Sequence, residues 1–264
     1  PARALAGAAP DVLVIDDPSA AAARPWCAAA RRAGARTASV HDLGLAWGDA
    51  DLIIDGTVVF ADHATERRLL GPRFMPLDPE VHRHALRRRP RGPGAPRVLV
   101  AFGGGPRLAR AAAVARAIAR RVPGCDIRIA GGFVPPRRSR GDVRWLPPLP
   151  TLAAELARAD IAVVAGGVSL YEAWALGTPA VASPVTGVSA QRRTVRAGAA
   201  RGLVVDGGPL DDPGAARRIA RQVERLLAGR NAAESMAGRA RRVVDGRGAW
   251  RVARRLRQLA RKRQ

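Results

Sequence analysis

The sequence predicts an α/β protein made of two successive halves, each with a parallel β-sheet and covering helices. Short apolar stretches alternate with longer stretches of helical periodicity, which is the pattern of βαβ units. The alternation runs to Asp55 and starts again at Arg97, after a Pro- and Gly-rich stretch that ends at Pro96. The best-defined block, Ala159 to Pro184, contains a strand, a glycine turn, a short helix and a second strand in direct succession.

The first half is predicted to hold three parallel strands, over residues 11–15, 36–40 and 50–54, with a helix over residues 20–33. The side chains that follow the first two strands are Asp16, Asp17, His41 and Asp42. Because the carboxyl ends of parallel strands form the edge at which α/β sheets bind ligands, these four residues are candidates to line an active site. The alternative is structural, since Asp at a strand end commonly caps the next turn or helix.

The second half is predicted to continue the same alternation of strands and helices. Strands are expected over residues 98–102, 126–130, 143–146, 161–165 and 180–183. Helices are expected over residues 106–121, 151–158, 169–176, 214–228, 232–243 and 248–262. This pattern predicts a larger parallel sheet than that of the first half.

Two glycine turns in the second half follow strands and open into helices, Gly103-Gly104-Gly105 and Gly166-Gly167. Such a turn presents unpaired N–H groups and a positive helix end, so it favours a phosphate. Ser169, followed three residues later by Glu172, fits a capping box at the second turn. Neither turn is a P-loop or a dinucleotide fingerprint. The alternative is that small residues here serve only the tight turn.

The net charge of +23 raises the question of a nucleic-acid partner. Lys262 is the only lysine, so the charge is nearly all arginine in a chain that is also rich in Ala, Gly and Pro. Aromatic residues make up 4% of the chain, too few to interleave with the basic residues as stacking platforms. We therefore expect no nucleic-acid partner.

The last predicted helix carries an apolar stripe of Val252, Leu256 and Leu259 beneath many arginines. We expect this stripe to pack on the protein. The alternative is a weak contact of a basic amphipathic helix with a membrane surface. The sequence shows neither a membrane-spanning stretch nor a signal peptide, so a cytoplasmic location is expected.

Several segments carry a resemblance to a known family. The segments are Leu69–Phe74 (LLGPRF), Val98–Gly105 (VLVAFGGG), Gly166–Gly177 (GGVSLYEAWALG) followed by Gln191, and Asp245–Val252 (DGRGAWRV). Together they resemble nucleotide-sugar enzymes of the GT-B fold, which has two Rossmann-like halves. More narrowly, the chain resembles the UDP-sugar hydrolases of pseudaminic acid biosynthesis (UDP-2,4-diacetamido-2,4,6-trideoxy-β-L-altropyranose hydrolase). These hydrolases are relatives of the peptidoglycan N-acetylglucosaminyltransferase.

The resemblance implies a division of the chain into an N-terminal half on the sugar or acceptor side (residues 1–76), a linker (77–96), a nucleotide-binding half (97–230) and C-terminal helices that pack back on the N-terminal half (231–264). Family members open with a glycine-rich, His-bearing turn that supplies the general base. Nothing before Asp11 can form that turn. Either the N-terminal half lacks its first strands, which is the expectation, or the chemistry is carried out elsewhere, and the catalytic base is not assigned.

The resemblance also implies roles for residues of the second half. The Gly103, Gly104 and Gly105 turn and the amides at Gly167, Val168, Ser169 and Leu170 would face the diphosphate of the nucleotide. Glu172 would accept hydrogen bonds from the ribose hydroxyls, or serve its helix as a cap. Leu146 would read the base through backbone groups, and Gln191 would reach the sugar or the phosphates.

The implied reaction is displacement at the anomeric carbon of a UDP-sugar, which is the expected small-molecule partner. Water attacks in a hydrolase, which the resemblance favours, and an acceptor hydroxyl attacks in the alternative, a glycosyltransferase. A third hypothesis is an inert nucleotide-binding module that needs a partner. No cofactor and no metal are expected, and the adjacent acids Asp211 and Asp212 are interpreted as solvated turn residues. The sugar and the oligomeric state are left open.

Overall fold

The computed structural model describes residue 5 and residues 10–16, 20–41, 48–87, 94–103, 107–131 and 141–261. These residues form two compact units. The first unit comprises residues 1–77 and 247–264, and the second comprises residues 78–246. Each unit contains its own β-sheet.

The first unit is built on a five-stranded sheet. Its strands are β1 (Val12–Asp16), β2 (Arg36–His41), β3 (Leu52–Asp55), β4 (His63–Ala64) and β5 (Arg68–Leu70). The order across the sheet is β1-β2-β3-β5-β4, and all pairs are parallel except that of β4 with β5. Helix α1 (Ala20–Arg32) connects the first two strands, and a 3₁₀ turn (Pro72–Phe74) follows β5. The three predicted strands and the predicted helix are confirmed.

The second unit has a six-stranded, fully parallel sheet. Its strands are β6 (Arg97–Ala101), β7 (Asp126–Ala130), β8 (Val143–Leu146), β9 (Ile161–Val164), β10 (Ala180–Ala182) and β11 (Val205–Asp206). Their order is β11-β10-β9-β6-β7-β8. Numbered from the first strand of the unit, this order is 3-2-1-4-5-6 when read from β8, which is the Rossmann arrangement.

Helices cover this sheet. They are α2 (Pro79–Arg87), α3 (Arg107–Arg121), α4 (Ala153–Arg158), α5 (Val168–Leu176), α6 (Ser189–Ala200), α7 (Ala215–Ala228) and α8 (Arg230–Val243). The main core joins β6, β7 and β9 to the apolar faces of α3 and α7, through residues such as Val100, Ile118, Ile127 and Val223. Alanine and β-branched residues dominate this core, as expected for strands that are buried on both faces.

Helix α5 is buried on nearly every side, with Leu170, Tyr171, Trp174 and Leu176 almost inaccessible to solvent. A helix that is apolar all round belongs in a protein core. It ends at Gly177, which adopts the left-handed conformation with φ 66° and donates its N–H back into the last turn. The predicted succession of strand, glycine turn, helix and strand is therefore confirmed.

The last helix, α9 (Gly248–Arg261), belongs to the first unit. Val252 and Leu259 are buried in a cluster with Leu52 and Ile54 of β3, and Leu256 packs against that cluster. The apolar stripe thus covers one face of the first sheet. This is the packing on protein that the sequence predicts, and the stripe is not free to contact a membrane.

The structure differs from the predicted boundaries at two places. Residues 79–87, within the predicted linker, form α2, and its Val81 and Ala85 are buried in the second unit. Helix α8, predicted to pack on the N-terminal half, also belongs to the second unit, where Arg241 donates to the Ala85 carbonyl at 2.9 Å. Val81 and Ala85 lie four residues apart, so they share one face of the helix. Two apolar residues at this spacing are a weak indication of a helix, and the surrounding prolines and arginines favoured a linker instead. The roles expected for the two halves stay predictions.

Gly248, at the start of α9, offers a direct test of the packing of the first unit. A Cβ atom at this position would lie 2.0 Å from the Met75 carbonyl oxygen, so Gly248→Ala should displace α9. We expect a loss of about 2–3 kcal/mol in the free energy of unfolding, measured in urea. Gly48→Ala is the matched control, because a Cβ there meets nothing within 4 Å. Equal losses in the two variants would contradict this packing.

Candidate functional site

The site is built where the strand order of the second sheet reverses. Strands β6 and β9 are hydrogen-bonded neighbours, with Ala101 opposite Val164. The turns that follow these residues, at Gly103 and at Gly166-Gly167, therefore begin about 5 Å apart at the carboxyl edge of the sheet. In α/β proteins the crevice at such a reversal is the usual place for a ligand.

Gly166 and Gly167 differ in their surroundings. A Cβ atom on Gly166 would lie 2.5 Å from the Gln191 carbonyl oxygen and 2.8 Å from Val195 Cγ2, so close packing against α6 requires glycine there. A Cβ atom on Gly167 would meet only Gln191 Nε2, at 3.8 Å, and the φ of Gly167 is −100°. The first glycine thus serves the fold, whereas the space beside the second is open.

The start of α5 differs from the predicted capping box. Its N-cap is Gly167, and no side chain caps it, so Ser169 lies inside the first turn. The Leu170 amide donates to the Gly167 carbonyl at 3.0 Å. The Leu170 amide is therefore not free to face a phosphate, contrary to the prediction. The amides at Val168 and Ser169 belong to the first turn, where a helix provides no acceptor of its own. These two N–H groups, with the positive end of α5, make this turn suited to an anion.

Gln191, on α6, directs an amide donor toward the same turn. Its Oε1 accepts the Val185 N–H at 3.0 Å, which fixes the side-chain orientation. Its Nε2 is then the atom that faces Gly167. The structure thus brings Gln191 and the second glycine turn together.

Glu172 is a half-buried carboxylic acid on α5, one helical turn beyond the anion-binding amides. Burial raises the pKa of Glu172 from 4.5 to about 7, and the negative charge of Asp78 adds to the effect. A carboxyl group that titrates near neutrality in a site is typical of a functional residue. Since Ser169 is not the cap, Glu172 does not serve the predicted capping box and is available to a ligand.

Two arginines beside the first glycine turn were missed by sequence reasoning. Arg107 Nη1 donates to the Phe102 carbonyl at 3.4 Å and lies 3.2 Å from where a Cβ on Gly103 would be. Arg110 forms an ion pair with Asp211 at 3.3 Å. Because arginine is frequent throughout the chain, neither residue stood out in the sequence. Their position in the first turn of a helix that follows a glycine turn could have indicated a role in binding an anion.

Asp211 lies in a turn and is partly exposed, as interpreted from sequence, but its carboxylate also has partners that the sequence did not indicate. Its carboxylate accepts the Thr186 N–H at 2.9 Å and pairs with Arg110. The Thr186 hydrogen bond, with smaller contributions from Arg110 and Arg107, holds the pKa of Asp211 below its usual range. Asp211 therefore anchors the loop between β10 and α6, in which Val185 positions Gln191.

The remaining candidates are distributed as follows. Leu146 ends β8, at the same sheet edge as the glycine turns but two strands away from β6. Asp16 is exposed at the end of β1. His41 is buried and forms a 2.7 Å hydrogen bond with Ser39, so it does not line an open site as predicted. Gly104, Gly105, Asp17 and Asp42 lie outside the described residues.

The described residues contain neither a metal-binding cluster nor a membrane-spanning helix. Within these ranges, no cluster of three or more His, Cys, Asp or Glu side chains has a geometry that could hold a metal ion. None of the helices in the same part of the chain combines the length and hydropathy needed to cross a membrane.

Comparison with known families finds a match within the second unit. Residues 100–229 match the sequence model of the family described as Glycosyl transferases group 1. The matched range contains the two glycine turns, Glu172 and Gln191. This match indicates an enzyme. No curated protein sequence matches the chain at a significant level.

Solved structures show the fold. MurG from Acinetobacter baumannii is 14% identical, with a TM-score of 0.66 over 97% of this chain and 76% of that one. The spinosyn forosaminyltransferase SpnP is 17% identical, with a TM-score of 0.70 over 98% and 79%. The UDP-GlcNAc 2-epimerase from Neisseria meningitidis bound to UDP-GlcNAc is 12% identical, with a TM-score of 0.63 over 97% and 78%. The prediction of an α/β, GT-B type fold is confirmed.

The pKa of Glu172 predicts how stability depends on pH. The unfolded carboxyl titrates near 4.5 and the folded one near 7, so protonation stabilises the folded state fully below pH 4.5. That stabilisation is lost as the pH rises through 7. We expect unfolding in urea, followed by tryptophan fluorescence, to show a loss of at most about 3 kcal/mol between pH 4.5 and 8.

Glu172→Gln is the control for this titration, because the amide keeps the size of the side chain and cannot ionise. The variant should be more stable than the unmodified protein at pH 8 and similar to it at pH 4.5. Parallel pH profiles for the two proteins would show that Glu172 is not the group responsible.

Proposed function

We propose that this chain is a glycosyltransferase that uses a nucleoside diphosphate sugar as donor and binds it at the carboxyl edge of the second sheet. The observation that carries the proposal is the convergence of the Gly103 turn and the Gly166-Gly167 turn at the reversal of strand order. The glycosyltransferase family match covers both turns and supports the same function.

The diphosphate is assigned to the space beside Gly167. The Val168 and Ser169 amides and the positive end of α5 supply donors on one side, and the Gln191 amide supplies another. The Arg107 guanidinium, held against Gly103, supplies a full positive charge from the neighbouring turn. Hydrogen bonds from charged donors to phosphate are the stronger kind, so Arg107 is expected to contribute most to diphosphate affinity.

The ribose is assigned to Glu172. An ionised carboxylate accepts two hydrogen bonds, which suits the paired hydroxyl groups of a ribose ring. Its pKa of about 7 means that donor binding should strengthen as the pH rises through neutrality, because the acceptor form becomes populated. Leu146, at the same edge, is assigned to the base, and UDP is the nucleotide that we propose.

The reaction is displacement at the anomeric carbon of the donor. An acceptor hydroxyl forms the new C–O bond and loses its proton to a base, the bond from that carbon to the diphosphate oxygen breaks, and UDP leaves with the electron pair. Negative charge grows on the diphosphate as the bond breaks. The amides of the α5 turn and the Arg107 guanidinium are already oriented toward that charge, so they stabilise the transition state without rearrangement.

A UDP-sugar hydrolase is the second candidate, in which water replaces the acceptor. The Asp245–Val252 segment, which resembles pseudaminic acid hydrolases, favours it. Two glycines of that segment have structural causes: Gly246 has a φ of 71°, and Gly248 packs against Met75. The segment is therefore weaker support for a hydrolase than the family match is for a glycosyltransferase, and we prefer the glycosyltransferase.

The deciding experiment separates the three hypotheses for this chain. The protein is incubated with UDP-sugars, with and without a cell-envelope extract as acceptor, and UDP, free sugar and glycosylated product are quantified by mass spectrometry. We expect UDP release that depends on the extract and sugar that appears on a product. Free sugar without extract would establish the hydrolase instead. UDP binding without any turnover would identify an inert nucleotide-binding module.

Arg107→Gln should weaken UDP binding about tenfold, measured by calorimetry, because the guanidinium that faces the diphosphate is removed. Binding of uridine, which has no phosphate, should not change. Arg116→Gln is the matched control, because it removes one exposed arginine from the same helix away from the turn. A parallel loss of uridine affinity would mean that Arg107 supports the fold of the site rather than the diphosphate.

A further inference from the structure

A second concave surface lies on the outer face of the second unit, between α3 and α7. This surface, the arginine groove, has a volume of ≈ 240 Å³. It is lined by Ala117, Arg120, Arg121, Arg217, Ala220 and Arg221. The two alanines are almost fully buried, so small side chains at the contact of the helices leave the space that the guanidinium groups surround.

The charges of the groove are poorly balanced. Arg121 pairs with Glu224 at 2.6 Å. Among the described residues, Arg120, Arg217 and Arg221 have no carboxylate within 4 Å. Helix α3 contains no acidic residue at all. The groove therefore keeps three uncompensated positive charges around one concavity.

Two partly buried arginines of the same unit, in contrast, are neutralised by carboxylates. Arg97 pairs with Asp126 at 2.8 Å, and Arg128 pairs with Glu155 at 3.0 Å. In the groove the cations converge from two helices, which raises the local positive potential and attracts a multivalent anion.

The groove is separate from the proposed donor site. Helices α3 and α7 run in the same direction, because Arg110 contacts Asp211 near their starts and Arg121 contacts Glu224 further along. Arg121 is fourteen residues beyond Arg107, so it lies roughly 20 Å from the Gly103 turn at the helical rise of 1.5 Å per residue. A ligand in the groove does not occupy the donor site.

We propose that the arginine groove binds the phosphate groups of a multivalent anion. Arginine forks match the geometry of phosphate oxygens and bind them through paired hydrogen bonds. The volume is several times the ~30 Å³ that a water molecule takes up in the liquid, so a phosphate group fits with its hydration. The phosphate is carried either by a free soluble compound or by lipid headgroups.

The test compares the unmodified protein with two triple variants. The groove variant is Arg120→Gln, Arg217→Gln and Arg221→Gln, which retains the Arg121–Glu224 pair. The control variant is Arg254→Gln, Arg257→Gln and Arg261→Gln, which removes the same charge from the exposed face of α9. Thermal unfolding verifies that both variants fold, and UDP calorimetry verifies that the donor site is unaffected.

Two probes distinguish the source of the phosphate. Inorganic pyrophosphate is titrated by calorimetry, and vesicles of phosphatidylcholine with and without phosphatidylglycerol are tested by co-sedimentation. We expect the groove variant to bind at least one probe tenfold or more weakly, and the control variant to differ by less than twofold. A loss confined to pyrophosphate identifies a soluble ligand, and a loss confined to phosphatidylglycerol vesicles identifies a lipid surface.

Two results overturn the proposal. One is equal binding of both probes by the groove variant and the unmodified protein. The other is an equal loss in the control variant, which would show that total charge, and not the groove, governs binding.

Discussion

The parallel pairing of β6 with β9 is the interaction on which the candidate site depends. The two strands start 64 residues apart in the sequence, at Arg97 and at Ile161, yet their backbones are hydrogen-bonded side by side. Strand order reverses at this pair, so the helices that follow the two strands leave on opposite faces of the sheet and a crevice opens between their starts. Without this pairing, the glycine turns would be two unrelated loops.

Burial of α5 sets the chemistry of the crevice. Gly166 allows α6 to approach the turn, and Gly198 accommodates the Trp174 ring, to which a Cβ would come within 2.8 Å. Glu172 lies on this helix, where burial raises its pKa to about 7 and the charge of Asp78 adds to the shift. An ionised, half-buried carboxylate costs stability unless hydrogen-bond donors reach it, and a ligand with hydroxyl groups provides them. The same packing that completes the core therefore raises the pKa of the carboxyl group that we propose as the ribose acceptor.

Arginines of the second unit have at least three different environments that the sequence does not separate. Some, such as Arg97, form ion pairs within the fold. Arg107 and Arg110 lie beside the Gly103 turn, where one faces the proposed diphosphate and the other orients a loop through Asp211. Three of the four that line the arginine groove have no carboxylate of a described residue within 4 Å, and the fourth, Arg121, pairs with Glu224. Composition explains why arginine is frequent, whereas only the contacts explain what each guanidinium does.

The sequence by itself determined three strands of the first sheet, five strands of the second, the course of α5 and the apolar stripe of α9, because periodicity and turn chemistry are local properties. The strands β4, β5 and β11, of two or three residues each, were not predicted, because so short a stretch carries no periodicity. The tertiary structure decided which turns meet, the burial of His41, the engagement of the Leu170 amide and the placement of α2 in the second unit. Ser169 is an example of a local pattern that does not decide the structure. Its spacing from Glu172 fits a capping box, yet the N-cap of the helix is Gly167, two residues before Ser169. Lateral strand order and side-chain environment arise from contacts between distant segments, and no local pattern encodes those contacts.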